Sequence, residues 1–139
     1  MQMQEDFLDA HRRHLSDAGY LFQAERWANA DHLYGISAEC GLKVLIEKLK
    51  GSSLDRGDRL HVMEEKKPNN AWLKYQTYLS GHAKAAKLAL PTLNPFADWL
   101  VSQRYANQSN FDHVRVQSHQ EGAKAVAALL KKDAVEGFK

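Results

Sequence analysis

Apolar residues recur at helical spacing through the first third of the chain. Between Glu5 and Glu25 they stand three, four or seven positions apart, at Leu8, Leu15, Ala18 and Phe22. This spacing predicts an amphipathic first helix. From about Trp27 to Lys50, apolar residues cover most of the helical circumference, which predicts a second helix at the centre of a bundle. Gly51 is the expected stop of that helix.

A polar connection separates these two helices from the rest of the chain. It spans residues 51–70 and carries many charged side chains around one short apolar patch. A third helix is predicted over 71–90, with Gly81 as a candidate break. Loops as long as 51–70 are often functional or mobile.

Two further helices are predicted beyond residue 90. A turn ending at Pro95 is expected to lead into a helix from Phe96 to about Tyr105, since proline is tolerated in a first helical turn. Ser109 and Asp112 have the spacing of a capping pair, which predicts a final helix from there to about Lys132.

The composition agrees with a helical protein of one domain. The chain has 139 residues, of which 44% are hydrophobic and 26% charged, so we expect a single helical domain over 1–139. Eighteen alanines and 17 leucines stand against a combined 11 Val, Ile and Thr. This ratio favours helices over pleated sheets. We therefore predict an all-α fold.

Charge and apolar runs exclude several classes of protein. The longest stretch without a charged residue, Leu88 to Ala97, is far shorter than the roughly 20 apolar residues that cross a bilayer. The first residues lack the basic and apolar regions of a signal peptide, so we expect a cytoplasmic location, no membrane contact and a reduced Cys40. Nineteen basic residues against 17 acidic ones are too even a balance for indiscriminate binding of duplex DNA.

The sequence lacks the motifs of several common kinds of catalytic site. The seven histidines include one tight pair, His11 and His14, and no His-Glu-x-x-His or Cys-x-x-Cys is present, so we expect neither a metal nor a cofactor. Cys40 stands in the most apolar helix, where the pKa of a thiol rises, which favours core packing over nucleophilic catalysis. There is no glycine-rich phosphate loop.

The strongest candidate chemistry lies between Arg104 and His119. Arg115 and His119 are four apart on the last predicted helix, and Asp112 stands one turn before Arg115, so the three can share a face. Arg104 is expected near the N-terminus of the same helix. A fixed cation, an imidazole and a positive helix terminus together favour phosphate binding. The alternative is a solvated charged face with one Asp–Arg pair.

Two segments resemble the HEPN superfamily (higher eukaryotes and prokaryotes nucleotide-binding domain). The first runs from Ala28 to Leu45, where a small-residue face leads into Ala-Glu-x-x-Leu-Lys, as in that family's second helix. The second runs from Trp99 to Tyr105 and continues, after a turn, into the alanine-rich helix. It is similar to the family's Arg-Tyr and closing helix.

The resemblance implies an up-and-down bundle of four to five helices, commonly a homodimer. It also implies binding of RNA or a nucleotide, or metal-independent RNA cleavage in a toxin–antitoxin or defence system, often beside a nucleotidyltransferase-like protein partner. On this chain it assigns phosphate or nucleotide contacts to Arg104, Tyr105 and Arg115. It makes His113 and His119 the candidate catalytic residues, because a histidine would move the 2′-hydroxyl proton.

The arginine–histidine spacing departs from that of the family's ribonucleases, which have four to six residues between the two. Here the pairs Arg104–His113 and Arg115–His119 have eight and three residues between them. The pair Arg56–His61 has four, but it lies in the middle connection. Whether the chain is an enzyme stays open on these spacings.

A second hypothesis is a noncatalytic protein-interaction module, such as an antitoxin, immunity or adaptor subunit. The balanced charge and the imperfect arginine–histidine spacing motivate it. An aromatic cluster, Trp72, Tyr75 and Tyr78, would be either its partner surface or part of the core.

Overall fold

A computed structural model describes residues 3–66, 68–83 and 85–136, with side chains up to Asp133. Within these residues the chain forms four α-helices and no strand, which confirms the predicted all-α fold. The helices are α1 (Phe7–Gln23), α2 (Trp27–Lys50), α3 (Ala71–Leu79) and α4 (His113–Glu136). Short 3₁₀ turns lie between them at Arg56–Asp58, Val101–Tyr105 and Gln108–Asn110.

Local capping signals set the ends of the long helices. α1 begins after Asp6, whose carboxylate accepts a hydrogen bond from the Asp9 amide at 3.0 Å. α2 ends at Gly51, whose φ of 71° lies in the left-handed region that glycine adopts without strain. α4 begins after Asp112, which accepts from the Arg115 amide at 2.9 Å. The predicted bounds of α2 are confirmed, whereas α1 begins two residues after Glu5 and ends two residues before Glu25, the limits of its predicted range.

The second helix lies at the centre of the fold, because α1, α3 and α4 all pack against it. Two of its glycines permit close approach. A Cβ on Gly35 would lie 2.0 Å from Cε2 of Trp99, and one on Gly41 would lie 2.6 Å from Cγ1 of Val126. Neither position has room for a side chain unless its neighbour moves.

The 51–70 connection is anchored to the core by apolar and charged contacts. The Asp58 carboxylate is buried, 2.5 Å from Lys50 Nζ, and accepts a hydrogen bond from the Tyr78 hydroxyl at 2.7 Å. Apolar side chains of the same segment are buried as well, namely Leu54, Leu60 and Val62. The connection is therefore a packed part of the fold.

The third helix ends at Leu79, close to the candidate break at Gly81, and does not continue to Leu90. The chain turns back after it, so that the Tyr75 hydroxyl donates to the Leu88 carbonyl at 2.7 Å and the Trp72 indole donates to the Pro91 carbonyl at 3.1 Å. A continuous helix to Leu90 would carry these carbonyls away from their donors. Trp72 and Tyr75 are 1% and 0% exposed, so these two members of the aromatic cluster belong to the core.

The predicted helix from Phe96 to Tyr105 is wrong. In its place are a turn over 95–98 and the 3₁₀ turn Val101–Tyr105, separated by Leu100 in an extended conformation (φ −139°, ψ 147°). The break lets both Trp99 and Gln103 reach Asp31 on α2. Long-range polar contacts override the helical spacing here.

Candidate functional site

Several elements meet at the buried carboxylate of Asp31, in the second turn of α2. Its Oδ1 lies 2.5 Å from His119 Nδ1, and its Oδ2 accepts a hydrogen bond from Gln103 Nε2 at 2.6 Å. Its backbone carbonyl accepts from the Trp99 indole at 3.1 Å. A buried carboxylate without such partners would be costly to desolvate. Asp31 therefore fastens α4, Trp99 and the turn Val101–Tyr105 to α2.

His119 lies between two carboxylates. Besides the contact with Asp31, its Nε2 lies 2.7 Å from Oδ1 of Asp98. The ring is fully buried and stacks on Phe96, with 5.2 Å between ring centroids. Burial alone would lower the pKa of His119, but the hydrogen bonds and charges of Asp31 and Asp98 together raise it. The arrangement favours the imidazolium, which donates from both nitrogens.

Arg115 covers the outer side of this cluster. Its Nη1 lies 3.2 Å from Oδ2 of Asp98, its Nη2 donates to the Asp98 carbonyl, and its Nε lies 3.8 Å from Oδ2 of Asp31. Burial opposes ionisation of Asp98, but His119 and Arg115 lower its pKa below the ordinary value. The positive charge of Arg115 is thus already matched by carboxylates of the fold.

A groove of about 680 Å³ opens where the start of α2 faces the segment 103–109. Two arginines, Arg26 and Arg104, and one acid, Glu25, lie along it. The volume is within the roughly 300–1,000 Å³ range of small-molecule sites. The remaining lining is rich in amide side chains and comprises Trp27, Ala28, Asn29, Gln103, Ala106, Asn107, Gln108 and Ser109.

The first turn of α2 borders this groove without a side-chain cap. Arg26 occupies the N-cap position and makes no capping hydrogen bond through its side chain. The first amides of a helix have no partner within the helix, and their positive end favours anions. The start of α2 thus adds to the positive potential from Arg26 and Arg104.

Arg104 and Tyr105 stand together on the 3₁₀ turn at the edge of the groove. Arg104 is exposed, with its guanidinium 4.7 Å from the centroid of the Tyr105 ring. The Tyr105 side chain is 79% exposed. Arg104 donates to the Val101 carbonyl at 3.4 Å, and none of the ion pairs within the described part of the chain involves it. Its charge is therefore available to a ligand.

His113 is the exposed first residue of α4. Its ring centroid lies 5.4 Å from that of Phe22 and 5.5 Å from that of Trp27. Because Trp27 also lines the groove, His113 lies next to the groove's aromatic side.

The five predicted site residues therefore fall into three places. Arg115 and His119 meet in the charged cluster, Arg104 and Tyr105 lie at the groove, and His113 packs on aromatic rings. The expected shared face of Asp112, Arg115 and His119 is only partly right. Asp112 is exposed and caps α4, whereas the other two turn towards carboxylates of other elements.

Three residues of the charged cluster were missed by the sequence reasoning: Asp31, Asp98 and Gln103. Asp31 carried a usable signal, because it stands three and seven positions before Tyr34 and Ala38 on the apolar side of α2. A charged residue at such a position needs a buried partner.

A separate ion-paired cluster lies around Glu39. Glu39 pairs with Lys43, four positions later on α2, at 2.9 Å between Nζ and Oε2. On its other oxygen Glu39 lies 2.7 Å from Nδ1 of His61, and this hydrogen bond raises the pKa of His61. His61 is thus tied to α2, while Arg56 is exposed on its own 3₁₀ turn. No group of three or more metal-ligating side chains is found among the described residues.

No protein-family model, curated protein or solved structure matches this chain. None of the helices in residues 3–66, 68–83 and 85–136 combines the length and the apolar character needed to cross a membrane.

Proposed function

We propose that this chain is a HEPN-like helical protein that binds RNA or a nucleotide in the groove beside Arg104. One observation carries this function: two arginines, four amide side chains and Trp27 surround a single groove of about 680 Å³. Guanidinium groups suit phosphate, and the amide side chains other than that of Gln103, which Asp31 holds, can donate to and accept from the edges of bases.

Phosphate recognition is assigned to Arg104 and Arg26. Arg104 has no acidic partner to displace, whereas Arg115 would have to give up Asp98. Glu25 reduces the net charge of the lining to one positive unit. The two arginines therefore recognise phosphate through their positions in the groove more than through a strong positive potential. The formal charge of the whole chain is only +2, which agrees with phosphate binding through locally placed arginines.

Base recognition is assigned to the aromatic residues at the groove. Trp27 lines it, and the Tyr105 ring is exposed next to the Arg104 guanidinium. Unpaired bases stack on such rings and on guanidinium planes, with about 1–3 kcal/mol per stacked base. This chemistry favours single-stranded RNA or a free nucleotide over a duplex.

Binding can be followed by tryptophan fluorescence. Trp72 and Trp99 are buried, so Trp27 should respond to a single-stranded RNA hexamer or to adenosine monophosphate in the groove. Arg104→Ala should weaken binding about 10- to 100-fold, because a hydrogen bond to a charged group contributes about 1.5–3 kcal/mol. Arg56→Ala removes the same charge from an exposed position outside the groove and should bind normally. Absence of binding by the wild type, or an equal loss in both variants, would overturn the assignment.

The ribonuclease form of this function rests on His113. His119 is buried with a carboxylate at each ring nitrogen, which leaves it no free nitrogen for a 2′-hydroxyl proton. Cleavage of the hexamer in the presence of a chelator should be lost in His113→Ala and kept in Arg56→Ala. If the wild type leaves the hexamer intact, cleavage is excluded and binding alone stands.

The alternative of a noncatalytic interaction module has weaker support from its aromatic cluster, because only Tyr78 of the three is half-buried and its hydroxyl donates to Asp58. Trp72 and Tyr75 lie in the core. The groove therefore favours a nucleic-acid or nucleotide ligand.

A further inference from the structure

We infer that Asp31, which does not line the groove, is a positioning residue that sets the groove's affinity by holding the turn Val101–Tyr105 in place through Gln103. Its effect on affinity rests on the proposed function, whereas its effect on the turn can be measured without any ligand.

The link from Asp31 to the groove consists of two consecutive hydrogen bonds. Asp31 Oδ2 accepts from Gln103 Nε2 at 2.6 Å, and Gln103 Oε1 accepts from the Leu100 amide at 3.1 Å. The Gln103 side chain is therefore held at both ends, once to α2 and once to its own turn. Arg104 follows immediately in the chain, so the orientation of this turn sets the direction of the Arg104 side chain.

The start of the turn is anchored by Val101, which packs partly buried against the core, and by the buried Trp99 just before it, whereas its second half depends on Gln103. A 3₁₀ turn of five residues has only weak hydrogen bonds of its own. Its hydrogen bonds from Gln103 N to Leu100 O and from Ala106 N to Gln103 O are 3.0 and 2.9 Å long. Arg104 and Tyr105 are exposed and add no core contact. Gln103 is thus the residue that ties the Arg104–Tyr105 pair to a buried charge.

His119 keeps the Asp31 carboxylate in one orientation. The groups that face its ring are Asp31 from α2, Asp98 from the turn over 95–98, and Arg115 from α4 itself. The imidazolium donates to both carboxylates, whereas neutral His119 has one N–H and leaves one carboxylate against a lone pair. Because the pKa of His119 is raised, the ordered form is present at lower pH and is lost as pH rises through that pKa.

The pH dependence of RNA binding therefore reports on this cluster. The phosphodiester groups of an RNA hexamer and the arginines of the groove keep their charges between about pH 6 and pH 9. Two histidines lie near the groove without lining it, His113 beside Trp27 and His32 near Arg104, so the effect of His119 is taken from the difference between the profiles of the wild type and Asp31→Asn. We expect the affinity of the wild type to fall as pH rises through the raised pKa of His119. The profile should be flatter in Asp31→Asn, which lacks one of the two carboxylates that His119 pairs with.

A matched pair of variants separates positioning from a general loss of charge. Asp31→Asn should lower affinity for the hexamer about tenfold, the equivalent of one lost charged hydrogen bond. It should also speed amide hydrogen exchange at Gln103 and Ala106. Asp98→Asn removes a carboxylate from the same histidine but leaves the Asp31–Gln103 bond, so at the lower pH its affinity and its exchange in the turn should stay near those of the wild type.

The outcomes distinguish the positioning role of Asp31 from the RNA-binding function of the groove. Wild-type affinity and wild-type exchange in folded Asp31→Asn, or equal losses in Asp31→Asn and Asp98→Asn, would overturn the positioning role while the groove function stands. If the wild type binds no RNA, the groove function fails, and faster exchange confined to Asp31→Asn still supports positioning of the turn. If Asp31→Asn does not fold, Gln103→Met cuts the same link from its partly exposed end. Unchanged exchange at Ala106 in that variant would refute the inference.

Discussion

The contact between Gly35 and Trp99 permits a test of the packing that holds the site together. A methyl group at Gly35 would lie 2.0 Å from Trp99 Cε2 and 2.3 Å from its Nε1, where normal contact needs 3.4–4 Å. Trp99 is fully buried and cannot swing into solvent without opening the core. It would have to give up the hydrogen bond from its indole to the Asp31 carbonyl.

Two effects of Gly35→Ala lower the free energy of unfolding, and one raises it. Overpacking costs about 1–3 kcal/mol, and the lost indole hydrogen bond costs about 1 kcal/mol. Replacing glycine by alanine within a helix returns about 1 kcal/mol. We therefore expect Gly35→Ala to lower the free energy of unfolding by about 1–3 kcal/mol.

Gly19→Ala is the matched control, because it makes the same change inside α1, where a Cβ meets no atom within 4 Å. It should raise the free energy of unfolding by up to about 1 kcal/mol. Urea unfolding followed by circular dichroism measures both variants, and roughly 4 °C of Tm change accompanies each kcal/mol in a chain of this size. If Gly35→Ala proves as stable as Gly19→Ala, Trp99 does not pack on α2 as described.

Two further predictions concern buried ionisable groups. Burial opposes the ionisation of Asp58, but its contacts with Lys50 and Tyr78 lower its pKa from 3.8 to about 2. Its ionised form should therefore add about 2 kcal/mol to the free energy of unfolding above pH 4. This contribution should be lost as pH falls towards 2. Urea unfolding should show Asp58→Asn less stable than the wild type at neutral pH and nearly equal to it at about pH 2, and an undiminished gap in acid would contradict this assignment. Burial raises the pKa of the Cys40 thiol to about 11. An aromatic disulfide reagent should therefore label Cys40 at least about 100-fold more slowly in the native protein than in denaturant. Immediate labelling of the native protein would show that α2 is open.

The sequence sufficed for the elements whose signals are local. α2 begins and ends where predicted, because its apolar pattern and the left-handed Gly51 both act within a few residues of the helix. Such signals are written in adjacent positions, so periodicity and capping rules recover them. The start of α4 is recovered only approximately, because the predicted pairing of Ser109 with Asp112 is wrong: Asp112 itself caps α4, and Ser109 lies in the preceding 3₁₀ turn.

The wrong helix over 96–105 shows where local rules fail. Its apolar spacing is compatible with a helix, but Trp99 and Gln103 both bond to Asp31, which stands 68 and 72 positions away. These contacts are worth more than the helical propensity of so short a segment, since propensities differ by less than about 1 kcal/mol per residue. The partner, and hence the break at Leu100, is not readable from the segment itself.

At the candidate site, too, the sequence identifies residue types, whereas contacts between distant segments determine their roles. Sequence reasoning selected Arg104 and Arg115 together as cations, and spacing alone gives no reason to separate them. The fold separates them by supplying Asp98 and Asp31 to Arg115 and no described acidic partner to Arg104. A guanidinium already paired with a carboxylate must lose that partner before it can bind phosphate, whereas an exposed one exchanges only water. The same cluster holds the turn that carries Arg104, so the paired arginine supports the site and the unpaired one is left to bind the ligand.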